Sequence, residues 1–283
     1  MPTPIAAAEV QTPLAQTIKT ENTLFAEPIF KTGNFLITNS LLNTWLVVFA
    51  VVVFGLFFRS RIKLVPRGIQ NLVEAAADRL LEVFDSVTGS REKTLKYFPF
   101  VISFLVFILL NNWLGLLPGV GSIGQVASEH GEKIFIPFFR GGTADLNTTL
   151  ALAIVGVVAS HIFSVAALGF WKYLNKFINL QALLEIPQKI WHEPTIIVVN
   201  PIKVFVGLIE VVGEFAKVAS LSFRLFGNIF AGEVLLASMS ALLAFGLPIP
   251  FIFLEVIVGI IQALIFAMLT LVYFTIASTA EEH

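Results

Sequence analysis

The chain of 283 residues contains no cysteine and carries little charge of either sign. The lack of cysteine excludes disulfides, thiolate chemistry and metal sites with cysteine ligands. Charged residues make up only 13% of the sequence, whereas soluble domains carry about 25%. Hydrophobic residues make up 57%, and so few charges cannot keep that much apolar surface in water. The composition therefore predicts an integral membrane protein.

The few charges that are present almost cancel, which leaves a formal net charge of −1. Such a balance indicates neither a nucleic-acid partner nor binding to an anionic surface. We predict no catalytic residue, no cofactor and no metal site for the chain by itself. Residues 1–40 lack the charged-then-apolar pattern of a signal peptide. They are predicted to form a polar N-terminal segment.

Apolar segments long enough to cross a bilayer, which takes about 20 residues, make up most of the remaining chain. We predict five membrane helices, at 41–58, 98–118, 149–171, 202–246 and 250–277. The last two exceed the ~30 Å hydrocarbon core and should be long and strongly tilted. Charged and apolar residues alternate at helical spacing in 68–88, which predicts an amphipathic helix on the membrane surface. The predicted fold class is an all-α integral membrane protein.

Lysine and arginine are unevenly distributed among the predicted loops. Residues 59–97 contain eight of them and 172–195 contain three, whereas 119–148 contains two. Basic residues favour cytoplasmic loops. We therefore predict that the N-terminus and the 119–148 loop are extracytoplasmic and that the C-terminus is cytoplasmic.

Three short patterns imitate known sites without the context that those sites require. GVGSIG at 119–124 has the glycine spacing of a dinucleotide site, but it follows a membrane helix instead of a strand. An H-E-x-x-H pattern that begins at His192 fails at its last position, Ile196. His130 stands between two glutamates and is interpreted as a residue of a solvated loop, not as a metal ligand.

Polar residues interrupt the fourth predicted span, most clearly in SLSFRLFGNIFAGE at 220–233. At about 100° per residue, Ser220 and Asn228 lie on the same side of the helix as Arg224, and Glu233 lies about 180° away. The side that carries Arg224 continues in three earlier polar residues, Glu210, Glu214 and Lys217. A charge at the bilayer centre costs at least ~2.5 kcal/mol, and such residues are usually functional. Arg224 and Glu233 are therefore predicted to serve different faces of one helix.

The fifth predicted span carries Glu255 and Gln262, which share a face because seven residues make nearly two turns. An acid in the membrane that exchanges protons through a water-filled cleft is a candidate proton relay. The alternative for Arg224 is a static salt bridge. Helix geometry disfavours Glu233 as its partner but leaves Glu255 open.

Three further polar residues have ordinary packing roles as serious alternatives. For Asn228 and Gln262, interhelical hydrogen bonding and channel lining are about equally supported. For His161, in the third predicted span, a hydrogen bond to a neighbouring helix is favoured over a proton relay.

The motif at 220–233 closely resembles the signature of subunit a of F-type ATP synthases. VIVGIIQALIFAMLTLVYFTIAS, at 256–278, resembles the last helix of that family, and TADLNTTLALA, at 143–153, resembles another of its blocks. The resemblance covers roughly 95–277. It implies a membrane stator with two aqueous half-channels beside a ring of c subunits, which couples proton flow to ring rotation and ATP synthesis.

The resemblance also implies roles for individual residues. Arg224 would face the carboxylate of each c subunit and prevent a proton leak between the half-channels. Glu233 and Glu255 would form the inlet relay, and some members of the family carry histidine where this chain has Glu255. Asn228 and Gln262 match polar residues that line the channels in the family. Ser220 and His161 are further candidates for the proton path.

The implied partners are the c-ring, the b subunits of the peripheral stalk, the remaining subunits of the complex and the lipid bilayer. The resemblance implies a multi-pass location in a bacterial inner membrane, and a subunit that is not an enzyme by itself. Two alternatives remain. A proton-coupled secondary transporter would need broken helices or repeated halves, and neither is visible in the sequence. A scaffold that uses its charges only for packing would gain little from a lone arginine.

Overall fold

A computed structural model describes residues 23–33, 35–117, 119–129, 132–178, 196–243 and 246–278. Seven described helices account for most of these residues: Asn39–Arg59 (α1), Ile69–Thr88 (α2), Arg91–Leu116 (α3), Leu146–Leu168 (α4), Phe170–Ile178 (α5), Ile196–Leu242 (α6) and Pro248–Ser278 (α7). Two antiparallel hairpins also occur. One pairs Pro28–Thr32 (β1) with Phe35–Thr38 (β2), and the other pairs Gly124–Glu129 (β3) with Glu132–Pro137 (β4).

Four of the described helices, α1, α3, α4 and α7, are long and apolar enough to cross a membrane. This finding confirms the predicted fold class, an all-α integral membrane protein. The 47 residues of α6 and the 31 residues of α7 make these the two longest described helices. At 1.5 Å per residue they extend about 70 Å and 46 Å, which is more than the ~30 Å hydrocarbon core.

Helices α3, α4, α6 and α7 pack around a common core. Small residues of α4 and α7 are almost fully buried in the core clusters to which both helices contribute, among them Ala153, Ala263 and Ala267. Small side chains let helix backbones approach closely, and close packing drives helix association in membranes. Leu221 and Leu225 contribute α6 to this core.

Helix α2 is amphipathic, as its charge pattern predicts. Leu81 and Phe84 are buried, and Phe84 packs in a cluster with residues of α3, α4 and α7, whereas Arg79 and Glu82 form an exposed ion pair. The helix ends at Gly89, whose left-handed backbone (φ +68°) lets its N–H donate to the carbonyl of Asp85.

The described part of residues 1–40 contains a β-hairpin, whereas the sequence predicted only a polar segment. After the β1–β2 hairpin, α1 begins directly at Asn39. The preceding chain is attached to the start of α4, because Ala26 N–H donates to Asp145 Oδ1 and Leu146 N–H donates to the carbonyl of Leu24. Strands of four and five residues are too short to produce a clear periodic pattern in the sequence.

The 119–148 loop likewise contains structure that the sequence analysis did not assign. GVGSIG, at 119–124, follows α3, makes a short 3₁₀ turn at Val120–Ser122 and leads into β3. This context is not the strand–turn–helix of a dinucleotide site. Helix α4 begins at Leu146, because the side chain of Asp145 accepts a hydrogen bond from Asn147 N–H and caps the helix. His130 and His192 lie outside the described residues.

Candidate functional site

The part of the polar side of α6 that carries Arg224 lies on a face that the described chain leaves uncovered. Ser220, Arg224 and Asn228 are exposed, whereas Leu221 and Leu225 on the other side are 1% exposed. No described acid forms an ion pair with Arg224. The alternative of a static salt bridge to Glu233 or Glu255 therefore finds no support in the described chain.

Gln262 of α7 fixes the position of α6 beside Arg224. Its side-chain N–H donates to the backbone carbonyl of Arg224 over 2.6 Å, and the residue is only 4% exposed. Gln262 thus makes the interhelical hydrogen bond that was one of its two predicted roles. This contact involves the backbone of Arg224 and not its guanidinium, which lies on the uncovered face of the helix.

Glu233 points away from the Arg224 face and forms an ion pair with Arg140, which precedes α4. The distance from Arg140 Nη2 to Glu233 Oε2 is 2.8 Å, and Arg140 Nε lies 3.1 Å from the same oxygen. Arg140 is 9% exposed and Glu233 is 28% exposed, so the pair is partly shielded from solvent. Shielding strengthens the interaction between such charges.

Glu255 of α7 lies beside Glu233 and fits against α6 only because residue 232 is glycine. A Cβ on Gly232 would collide with the Glu255 carboxyl group. Glu255 is 7% exposed, and no described residue forms an ion pair with it. Its carboxyl is therefore held in place by packing and not by a cation.

Both acids line one small cavity of about 40 Å³. Its walls come from α3, α6, α7 and the segment before α4, and include Asn112, Gly115, Gly141 and Ile229. This volume accommodates one or a few water molecules. Asn112 is oriented by two contacts, since it donates to the carbonyl of Gly259 and accepts from Thr143. Glu233, Glu255, Arg140 and Asn112 are called the Glu233 cluster below.

Buried polar atoms of α1 and α3 have no hydrogen-bond partner among the described residues. They include the side-chain oxygens of Asn43, Thr44 and Asn111 and the amide nitrogen of Asn43. The oxygens of Thr44 and Asn111 lie against Gly142, close to where a Cβ would be. Buried polar atoms in proteins are normally satisfied, often by ordered water. This region between α1 and α3 is therefore suited to hold water.

A second polar cluster surrounds His161 at the opposite end of the bundle. The Tyr173 hydroxyl lies 2.7 Å from His161 Nδ1, and His161 Nε2 lies 3.7 Å from Glu214. Lys217 is 2.7 Å from the other oxygen of Glu214, and its ammonium group lies over the ring of Tyr273. These five residues form the His161 cluster.

Burial of Tyr173, with the negative charges of Glu214 and Glu210 nearby, raises the pKa of its hydroxyl to about 12. The hydroxyl therefore keeps its proton and can donate it in the bond to His161 Nδ1. In that case the proton of a neutral imidazole lies on Nε2, which faces Glu214. His161 thus contacts side chains of two neighbouring helices, α5 and α6.

The geometry brings together Glu233 and Glu255, which lie on different predicted helices, and separates both of them from Arg224.

The sequence profile of the family described as ATP synthase A chain matches residues 41–275. The chain belongs to this family.

Individual relatives agree with the family assignment. The chain is 31% identical over 252 residues to ATP synthase subunit a of Syntrophobacter fumaroxidans, covering 89% of this chain and 87% of the relative. It is 32% identical over 240 residues to ATP synthase subunit a of Campylobacter jejuni subsp. doylei, covering 84% and 88%. The corresponding protein of Geobacter sulfurreducens is 31% identical over 240 residues, covering 85% and 87%. The resemblance to subunit a of F-type ATP synthases is confirmed.

The match to the ATP synthase A chain family contains both polar clusters and Arg224, whereas the first 40 residues lie outside it. Sequence reasoning missed Arg140, Gly232 and Tyr173 as parts of these clusters. Arg140 was counted only as one of the basic residues of a loop. Helical periodicity cannot detect a residue that stands between elements and reaches its partner across the chain.

Proposed function

We propose that this chain is the proton-conducting stator subunit a of an F-type ATP synthase in a bacterial inner membrane. Two half-channels would lead protons to and from a ring of c subunits and couple their flow to rotation and ATP synthesis. The N-terminus would be extracytoplasmic and the C-terminus cytoplasmic. The observation that carries the proposal is the uncovered polar face of α6, on which Arg224 has no acidic partner among the described residues.

Arg224 would stabilise the deprotonated carboxylate of each passing c subunit. Opposite charges about 4 Å apart attract by ~4 kcal/mol at an effective dielectric constant near 20. A guanidinium cannot lose its proton in a protein, so it cannot pass protons directly between the half-channels. Each proton that crosses a potential of 100 mV releases ~2.3 kcal/mol, and this energy drives rotation only when the direct leak is prevented.

The inlet half-channel would contain the Glu233 cluster. Glu233 and Glu255 line the same cavity, and the unpartnered polar atoms of Asn43, Thr44 and Asn111 would bind water between it and the outside. Two carboxylates would thus relay protons from the extracytoplasmic side to the ring.

The outlet would pass the His161 cluster. Along α6, Glu214 and Lys217 precede Arg224, and Glu233 follows it. Arg224 would therefore separate the two clusters along the helix, as a barrier between two half-channels must. The complex would include the c-ring, the b subunits of the peripheral stalk and the remaining subunits. This chain would conduct protons and would not catalyse ATP formation by itself.

Proton flux in vesicles that carry the intact complex tests the proposal. We expect Arg224→Ala and Arg224→Lys to abolish ATP-driven pumping, and Arg224→Ala also to admit passive proton flux under an imposed potential. Arg79→Gln, which removes an exposed ion pair with Glu82, is the control and should pump like the wild type. Wild-type pumping by both Arg224 variants would refute the proposal.

Glu233→Gln and Glu255→Gln provide a second arm of the same experiment. Each removes one relay group and leaves the Arg224 barrier intact. Pumping should slow without any passive leak. Wild-type rates in both variants from neutral to alkaline pH would count against the relay.

A further inference from the structure

Arg140 connects two parts of the chain that are distant in sequence. Its guanidinium holds Glu233 of α6 through Nε and Nη2. On the other side, Nη2 donates to the carbonyl of Thr23 at 2.8 Å, and Nη1 donates to the carbonyl of Phe25 at 3.3 Å. A weaker contact joins Nη1 to the Thr23 hydroxyl at 3.4 Å. The described N-terminal segment therefore fixes the direction of the guanidinium.

The contacts of Arg140 make it a selective partner for one charge state of Glu233. A guanidinium is always cationic and offers donors only, so it favours the carboxylate over the neutral carboxyl group. Among the described residues, the groups that face Glu233 are Arg140 from the segment before α4, Glu255 from α7 across the shared cavity, and neutral Asn112 from α3. Arg140 is the cation in this set.

We propose that Arg140 is a positioning residue of the inlet half-channel, which orients Glu233 and sets the outside proton concentration at which Glu233 is loaded. The carbonyl groups of Thr23 and Phe25 hold Arg140 in place, which gives the N-terminal segment a part in the inlet. This inference rests on the proposed function, because it assigns Arg140 a role in the proton relay through Glu233.

The test measures ATP synthesis by the complete complex in proteoliposomes at a fixed membrane potential, while the pH on the inlet side is varied. In Arg140→Gln, the neutral amide no longer favours the carboxylate of Glu233. We expect the midpoint of the pH profile to shift to alkaline pH by about one unit or more, since a close opposite charge changes a protonation equilibrium by ~1–3 units. Arg140→Lys keeps the charge and should retain most of the wild-type profile.

A double variant separates an effect through Glu233 from a general loss of structure. In the background of Glu233→Gln, adding Arg140→Gln should change neither the rate nor the profile. Arg79→Gln is the matched control, since it removes an exposed arginine ion pair elsewhere in the chain. Copurification with the ATPase head and its ATP hydrolysis rate verify that each variant assembles.

Three results would overturn the inference: a wild-type pH profile in Arg140→Gln, a further loss when it is added to Glu233→Gln, or a Gln-like shift in Arg140→Lys. If Arg140→Gln does not assemble, the neutral variant Arg140→Met replaces it in the same comparison, and the same alkaline shift is expected. If the inference about Arg140 is wrong, the Arg224 variants should still lose ATP-driven pumping. Failure of the proposed function would instead appear as normal pumping by the Arg224 variants.

Discussion

Single residues determine whether the two acids of the Glu233 cluster can approach each other. Glu233 is fixed by an ion pair, whereas Glu255 is fixed by close packing against Gly232. In a low-dielectric site, a relay needs groups within reach of each other that can still change protonation state. A carboxyl group held by packing keeps that freedom, since it makes no ion pair that would have to break.

Gly232 allows the close packing against Glu255 to be tested directly. Alanine at this position would collide with the Glu255 carboxyl, and displacing a reacting group by ~1 Å can reduce a rate by about a hundredfold. We expect Gly232→Ala to reduce ATP-driven proton pumping by that amount in vesicles. Gly55→Ala is the control, because a Cβ at Gly55 in α1 meets nothing within 4 Å.

A second substitution that shortens Glu255 should compensate for alanine at position 232. Adding Glu255→Asp to Gly232→Ala shortens the acid and relieves the collision, so pumping should recover in part. Equal pumping by Gly232→Ala and the wild type would show that the close approach of Gly232 and Glu255 does not matter for transport.

At the scale of elements, α5 is attached to the bundle by aromatic and polar contacts. Tyr173 bonds to His161 of α4 and stacks edge-on against Phe177 of its own helix. The hydroxyl remains protonated in this environment, because burial raises its pKa to about 12 from an ordinary value of 10.0. The attachment of α5 therefore depends on a group that titrates only at high pH.

The element-scale prediction follows from the sign of this shift. The folded state binds the Tyr173 proton more tightly than the unfolded state, so this contribution to stability is complete below pH 10 and is lost as pH rises toward 12. Thermal unfolding of the detergent-solubilised subunit should show a steeper alkaline loss of Tm for the wild type than for Tyr173→Phe. Parallel alkaline profiles would contradict the role assigned to this hydroxyl.

In the whole molecule, one side of α6 is not covered by any other described helix. Arg224 and Asn228 lie on a face that no described helix covers, while the opposite face supplies Leu221 and Leu225 to the core. Charged residues within a membrane protein almost always face a protein interior or water-filled cavity rather than lipid. A partner surface is therefore expected to cover this face in the assembled complex.

The chain has no native cysteine, so a maleimide reagent would label only a cysteine that is introduced. Asn228→Cys should react with a maleimide reagent in the isolated subunit and become protected when the complex is assembled with its c-ring. Leu64→Cys, in the fully exposed link between α1 and α2, should react equally in both states. Equal labelling of Asn228→Cys before and after assembly would mean that the ring does not cover this face.

Composition and periodicity by themselves determined the membrane class, the all-α fold class and the division of α6 into two faces. These properties depend on local sequence, since a bilayer demands long apolar runs and a helix repeats every 3.6 residues. The opposite directions of Arg224 and Glu233 follow from that repeat alone. The family motif at 220–233 could also be read directly from the chain.

Only the tertiary structure decided which residues from different elements meet. The pairing of Arg140 with Glu233, the fit of Glu255 against Gly232 and the contact of His161 with Glu214 join positions 93, 23 and 53 residues apart. The folding of the described residues in 23–33 and 35–38 against α1 and α4 is of the same kind. Such contacts depend on how helices pack and where short connecting segments lie, and neither property leaves a periodic signal in the sequence.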